Sequence, residues 1–174
     1  MHNTGRINFA HRGFTLIEAL MATVVLCIAT VGIAQLLGTS AQQSVAMRHQ
    51  SVSLELAKQL MEEIASKPVA DSTGNISLGH ETGENSRSQY DTIDDYNGYT
   101  DTTDSITMLD GTTVDLGDGL TYRRSVVVQY RMTPSGASTA SASAPFCVVT
   151  ITVGPDNSET TQLTRLFART SGGY

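Results

Sequence analysis

The chain has 174 residues, a formal net charge of −6 and two cysteines. That length admits one ordinary domain plus an extended segment, and the basic residues form no stripe that would neutralise phosphates, so no nucleic acid contact is expected. Cys27 lies in an apolar run and Cys147 in a strand-like segment, neither within a Cys-x-x-Cys or Cys/His cluster, which leaves no disulfide and no structural zinc in the reading.

The first element is the apolar run at residues 14–37, which holds no Lys, Arg, Asp or Pro and a single acid, Glu18. As a helix it reaches about 36 Å, enough to cross a hydrocarbon core of about 30 Å. Arg6 and Arg12 precede it and no basic block follows directly, so the short N-terminus stays cytoplasmic and the remainder is exported across the inner membrane. A buried helix of a soluble protein is a poor fit, because the run is apolar on every face. A secretory signal ending at Gly32-Ile33-Ala34, with a mature start at Gln35, and a plain signal anchor both fit parts of the pattern, but neither accounts for Glu18.

The stretch RGFTLIEA, residues 12–19, followed by the apolar run, resembles the N-terminus of type IV prepilins and type II secretion pseudopilins. The resemblance implies that a dedicated prepilin peptidase cuts after Gly13 and methylates the new amino terminus at Phe14. It also places the family's glutamate, the fifth mature residue, on Glu18. Major pilins of this family usually carry a proline at the twenty-second mature position; here that position is Gln35, flanked by Gly32 and Gly38, which inclines the reading toward a minor pilin or pseudopilin. The physical reason for the acid is charge neutralisation. Cleavage leaves an amine in apolar surroundings, where a lone charge is costly, and a carboxylate of a neighbouring subunit removes that cost while fixing the stagger between helices. Residues 14 and 18 also share a helix face, so a pair within one chain is a second arrangement.

Residues 41–66 then turn amphipathic. Val45, Val52, Leu56, Leu60 and Ile64 step by seven or four, with Ala57, Met61 and Ala65 widening the stripe. Lys67-Pro68 ends the helix, since a residue before proline avoids the helical region. Residues 69–105 are rich in Ser, Thr, Asp, Asn and Gly and read as an ordered or semi-ordered loop, anchored by Tyr90, Ile93, Tyr96 and Tyr99 on a short turn, with its acids, Asp91 and Asp104 among them, in solvent. Residues 106–116 predict two short strands about Asp110-Gly111. Residues 120–132 alternate so that Tyr122, Val126, Val128 and Tyr130 share a face. Residues 145–154 and 161–170 add two strands joined by a Gly154-Pro155-Asp156-Asn157 turn, and residues 134–144 read as a Ser/Ala-rich loop.

The expected fold is therefore α+β: a long N-terminal helix packed on a small antiparallel sheet. Residues 1–13 form a leader, 14–38 a membrane and filament-core helix, 39–67 its amphipathic half and 68–174 the head, with its acidic loop at 69–105. No catalytic triad order, P-loop or dinucleotide fingerprint appears, so no enzyme is expected. Asp94, Asp95, Asn97 and Asp101 are the oxygen ligands a calcium ion would take, but their spacing departs from an EF-hand, and no cofactor is assigned. The resemblance implies a subunit of a type IV pilus or type II secretion pseudopilus, resident in the inner membrane and then in a periplasmic or extracellular filament. Its partners would be the prepilin peptidase, other pilin or pseudopilin subunits, an assembly-platform membrane protein and the lipid bilayer. The competing reading is an anchored or secreted binding module with a lectin- or adhesin-like head.

Overall fold

The computed structural model describes residues 13–69, 78–101, 106–117, 119–139, 144–156 and 159–169. The chain divides into two compact units, Met1–Val45 and Ala46–Tyr174, and a single helix, α1 (Leu16–Ala65), contributes to both. The helix is uninterrupted at Gly32 and Gly38.

In the first unit the described helical residues are solvent-exposed, with Gly32 alone half-buried. The run has a mean hydropathy of 2.3 and is long and apolar enough to cross a membrane. Its threonines are satisfied internally: the Thr23 hydroxyl donates to the Leu20 carbonyl at 2.8 Å and that of Thr30 to the Cys27 carbonyl at 2.9 Å. This back-bonding lets a hydroxyl sit in an apolar setting without an unmet donor.

The second unit is an antiparallel sheet covered on one face by the C-terminal part of α1. The strands are β1 (Ile106–Thr107), β2 (Thr113–Val114), β3 (Tyr122–Arg131), β4 (Ser138–Thr139), β5 (Phe146–Pro155) and β6 (Thr161–Ala168). β1 and β2 form a hairpin whose turn places Gly111 at φ +85°, a conformation glycine tolerates, while the Thr112 amide donates to Asp110 Oδ1. The main sheet runs β4-β3-β5-β6, with Val126 opposite Ile151 and Val128 opposite Val149. Gly154 permits a close return of the chain, since a Cβ there would lie 3.0 Å from Glu159 O and the Thr160 side chain.

The core gathers Leu56, Ala57, Leu60, Met61 and Ile64 of α1 with Tyr122, Val126, Val128, Tyr130, Val149 and Ile151 of the sheet. Val52 borders this cluster. Val45 does not join it: it is 54 % exposed, so the apolar stripe meets the head only from Val52 onward. The Ser/Ala-rich loop also departs from its reading. It contains β4, which pairs with Tyr130 and Arg131, and it delivers Ala144 fully buried into the core. Cys147 is buried in β5 and Cys27 exposed in α1.

Leu60 has no exposed area, so Leu60→Ala is expected to cost about 2–5 kcal/mol through lost burial and a residual cavity. Val45→Ala should stay within about ±0.5 kcal/mol. Urea melting of a fragment beginning at Thr39 checks both values.

Candidate functional site

Gly13, Phe14 and Thr15 stand ahead of the helix. Thr15 caps it: its Oγ1 accepts the Glu18 amide at 3.3 Å, and its carbonyl accepts the Ala19 amide at 3.1 Å. Thr15-Leu16-Ile17-Glu18 thus has the spacing of a capping box, a signal present in the sequence beside the processing motif. The cap sets Glu18 in the first helical turn, near the positive end of the helix dipole. Among the described residues its carboxylate contacts no cation and accepts no hydrogen bond. Phe14 is 79 % exposed. Beyond its chain neighbours, no described residue has an atom within 4 Å of the place a Gly13 Cβ would occupy, so nothing among the described residues requires glycine there.

The head holds a different arrangement of charge. Arg124 lies on the inner face of β3, where alternation calls for an apolar residue, and its side chain is 1 % exposed. Its Nε donates to Asp101 Oδ2 at 2.6 Å and its Nη2 to Asp101 Oδ1 at 3.1 Å, a two-pronged pair, while Nη2 also donates to the Thr107 carbonyl at 2.8 Å. Tyr99 donates to Asp101 Oδ1 at 2.7 Å and accepts from Arg87 Nη1 at 2.9 Å. Arg87 pairs in turn with Glu63 of α1 at 3.1 Å, and Glu63 accepts the Tyr96 hydroxyl at 2.8 Å. The result is an alternating series, Glu63–Arg87–Asp101–Arg124. Burial and the neighbouring carboxylates push the Tyr96 and Tyr99 phenols up, which keeps both as proton donors.

This network corrects the reading of the loop's acids as solvated: Asp94, Asp95 and Asp101 are buried, while the expected anchors Tyr90, Ile93 and Tyr96 are buried as well. Two short 3-10 turns, Arg87–Gln89 and Asp94–Tyr96, order the segment. The four candidate calcium ligands do not converge. Asp101 is committed to Arg124, Asn97 Oδ1 accepts the Val128 amide at 3.0 Å, and Asp95 Oδ2 accepts the amides of Asp91 and Thr92. The carboxylates that do approach one another are Glu84, Asp91 and Asp95, with oxygens within 4.8 Å. Asp104 lies outside the described residues.

Asp94 has another environment. Its carboxyl faces Thr92, Tyr130 and Cys147, and its buried Oδ1 has no hydrogen-bond partner among the described residues. Desolvation raises its pKa above the ordinary carboxylate value, with Asp95 adding to the effect. Burial also pushes the Cys147 thiol up to about 12, which leaves it protonated and unreactive at neutral pH.

Two outcomes are expected of the head. Arg124→Leu leaves Asp101 buried without its main cation and should cost about 3–5 kcal/mol in denaturant unfolding. Asp94 binds its proton more tightly folded than unfolded, so its contribution to stability is complete below the unfolded value and is lost as pH rises through the folded one. Asp94→Asn should therefore melt like the wild type at about pH 3 and hold a growing advantage toward neutral pH. Parallel pH profiles of the two melting temperatures would exclude this role.

Compared with known proteins, residues 8–34 match the family model described as the prokaryotic N-terminal methylation motif. The match covers Gly13, Phe14 and Glu18, while residues 8–12 lie outside the described part of the structure. Neither the comparison with curated proteins nor that with solved structures gave a match. The motif carries with it processing by a prepilin peptidase and assembly with other pilin subunits, and together with one long helix and a small β-sheet head it is consistent with a type IV pilin-like protein.

Proposed function

We propose that the chain is the precursor of a minor pilin or pseudopilin, cleaved after Gly13, methylated at Phe14 and built into a type IV pilus or type II secretion pseudopilus. Its role is structural rather than catalytic. The observation that carries this reading is the coincidence of the methylation motif with a helical surface that no described residue covers. Leu16, Ile17, Leu20, Val25, Ile28 and Leu36 each leave more than half their area exposed. Before assembly the bilayer covers them, with the N-terminus in the cytoplasm and the head exported. After assembly the same surface packs on other subunits.

Glu18 then has a task the isolated chain does not give it. The mature amine of Phe14 and the Glu18 carboxylate of an adjacent subunit neutralise each other, and burial makes a mismatched stagger expensive because it strands both charges. The absence of a partner for Glu18 among the described residues supports a role between subunits. The open space around Gly13 supports the peptidase as the agent that requires glycine, since no contact among the described residues does.

The deciding measurement is the mature N-terminus in the host, read by mass spectrometry: N-methylated Phe14 is expected, whereas a start at Gln35 would point to a released binding module instead. Gly13→Val should leave full-length precursor in the inner membrane and abolish incorporation. Glu18→Ala should be inserted and cleaved as before, because removing a charge from the span eases insertion, yet be depleted from purified filaments. Filament levels equal to wild type would remove the pairing role.

A further inference from the structure

The two edges of the main sheet are treated differently. Along β3 the outer edge is occupied from Arg124 to Arg131. The Gly98 amide donates to the Val126 carbonyl at 3.0 Å, the Val126 amide to the Tyr99 carbonyl at 2.9 Å and the Asp101 amide to the Arg124 carbonyl at 3.1 Å. The Asn97 side chain takes the Val128 amide, and β4 covers Tyr130 and Arg131. The opposite edge is β6, eight residues without proline or glycine, paired to β5 on one side. Among the described residues no backbone bond reaches its outer side.

An unprotected edge of this length is a template for another strand, and the charges select among strands. β3, β5 and β6 contain Arg123, Arg124, Arg131 and Arg165 and no acid. Arg165 is the exposed charge of β6, its guanidinium held over the Phe167 ring at 5.1 Å. In a symmetric edge-to-edge pair of two copies with full overlap, each Arg165 stands opposite or diagonal to its counterpart, which like-charge repulsion disfavours. A strand of another protein with a carboxylate at that place is favoured by the same geometry. We infer that β6 is an assembly edge, completed by an extended, acid-bearing segment of a different exported subunit, with Arg165 as the residue that chooses it. This concerns the head alone and does not rest on processing at Gly13.

The test uses the full chain in its host membrane, with a benzophenone attached through Gln162→Cys in a Cys27→Ser background; the buried Cys147 stays unlabelled. Irradiation should join β6 to an extended segment of another subunit that has Asp or Glu about three residues from the contact, the separation of Gln162 from Arg165. Arg165→Glu should cut the yield at least ten-fold, and Arg165→Lys should retain it. Placing a Lys at the partner's acid should restore the yield for Arg165→Glu. An adduct to a second copy of this chain, an adduct to its own residues 70–77 or 170–174, no adduct, or a yield indifferent to Arg165→Glu would each overturn the proposal. Failure of the precursor to be cut after Gly13 would leave it standing.

Discussion

The head depends on the pair between Arg124 and Asp101. Arg124 occupies an inward position of β3, so its guanidinium must leave water when the sheet meets its core, and an unpaired charge there would cost several kcal/mol. Asp101 removes that cost and in doing so draws residues 97–101 along the strand. The loop then becomes the missing edge of the sheet. Arg87 and Glu63 extend the same logic to the helix, because Asp101 accepts from Tyr99 and Arg87 bridges that tyrosine to Glu63. Tyr90, Ile93 and Tyr96 seat the segment in the core, and the need of two arginines for carboxylates fixes its course from there. Such a network adds less to stability than to uniqueness, because any other seating of the loop strands at least one buried charge.

The N-terminal unit meets charge in the opposite way. Its one acid, Glu18, sits in the first turn of a helix whose large apolar side chains are exposed, and the described residues offer it no cation. Soluble monomers rarely expose contiguous apolar surface of this extent. The threonines of the run close their own hydrogen bonds, which suits an environment without water. What the unit leaves open, an apolar surface and one carboxylate, is what the proposed function fills with a bilayer and then with neighbouring helices.

Elements set by local pattern were legible in the sequence. The alternation of Tyr122, Val126, Val128 and Tyr130, the Asp110-Gly111 turn and the helix stop before Pro68 are each decided within a few residues, and the structure has them. What failed was non-local. Asp101 looked solvated because its partner stands 23 residues away, and composition alone does not reveal a pair at that separation. Arg124 carried a signal nonetheless: it falls at an inward position between Tyr122 and Val126, and a buried arginine demands an acid somewhere in the chain. Val45 was misplaced because its seven-residue step to Val52 continues the stripe, while the core that would use the stripe begins only at Val52. At the N-terminus the motif is plain in the sequence, and the cap by Thr15 is written there too, in the Thr15-to-Glu18 spacing that brings the Glu18 amide to the Thr15 hydroxyl.

The placement of charge on the sheet follows from these same constraints. Acids gather in α1 and in the loops, where they meet Arg87 and Arg124, and the three long strands carry none. A chain whose sheet ended in a flat, uncharged edge would pair with its own kind as readily as with other partners. The loop removes that hazard from β3 by occupying its backbone groups. On β6 the backbone groups remain, so selection must come from side chains. On the proposed reading, Arg165 on this acid-free strand disfavours its own copy and leaves the edge open to a complementary one, the discrimination that a subunit exported before assembly would need.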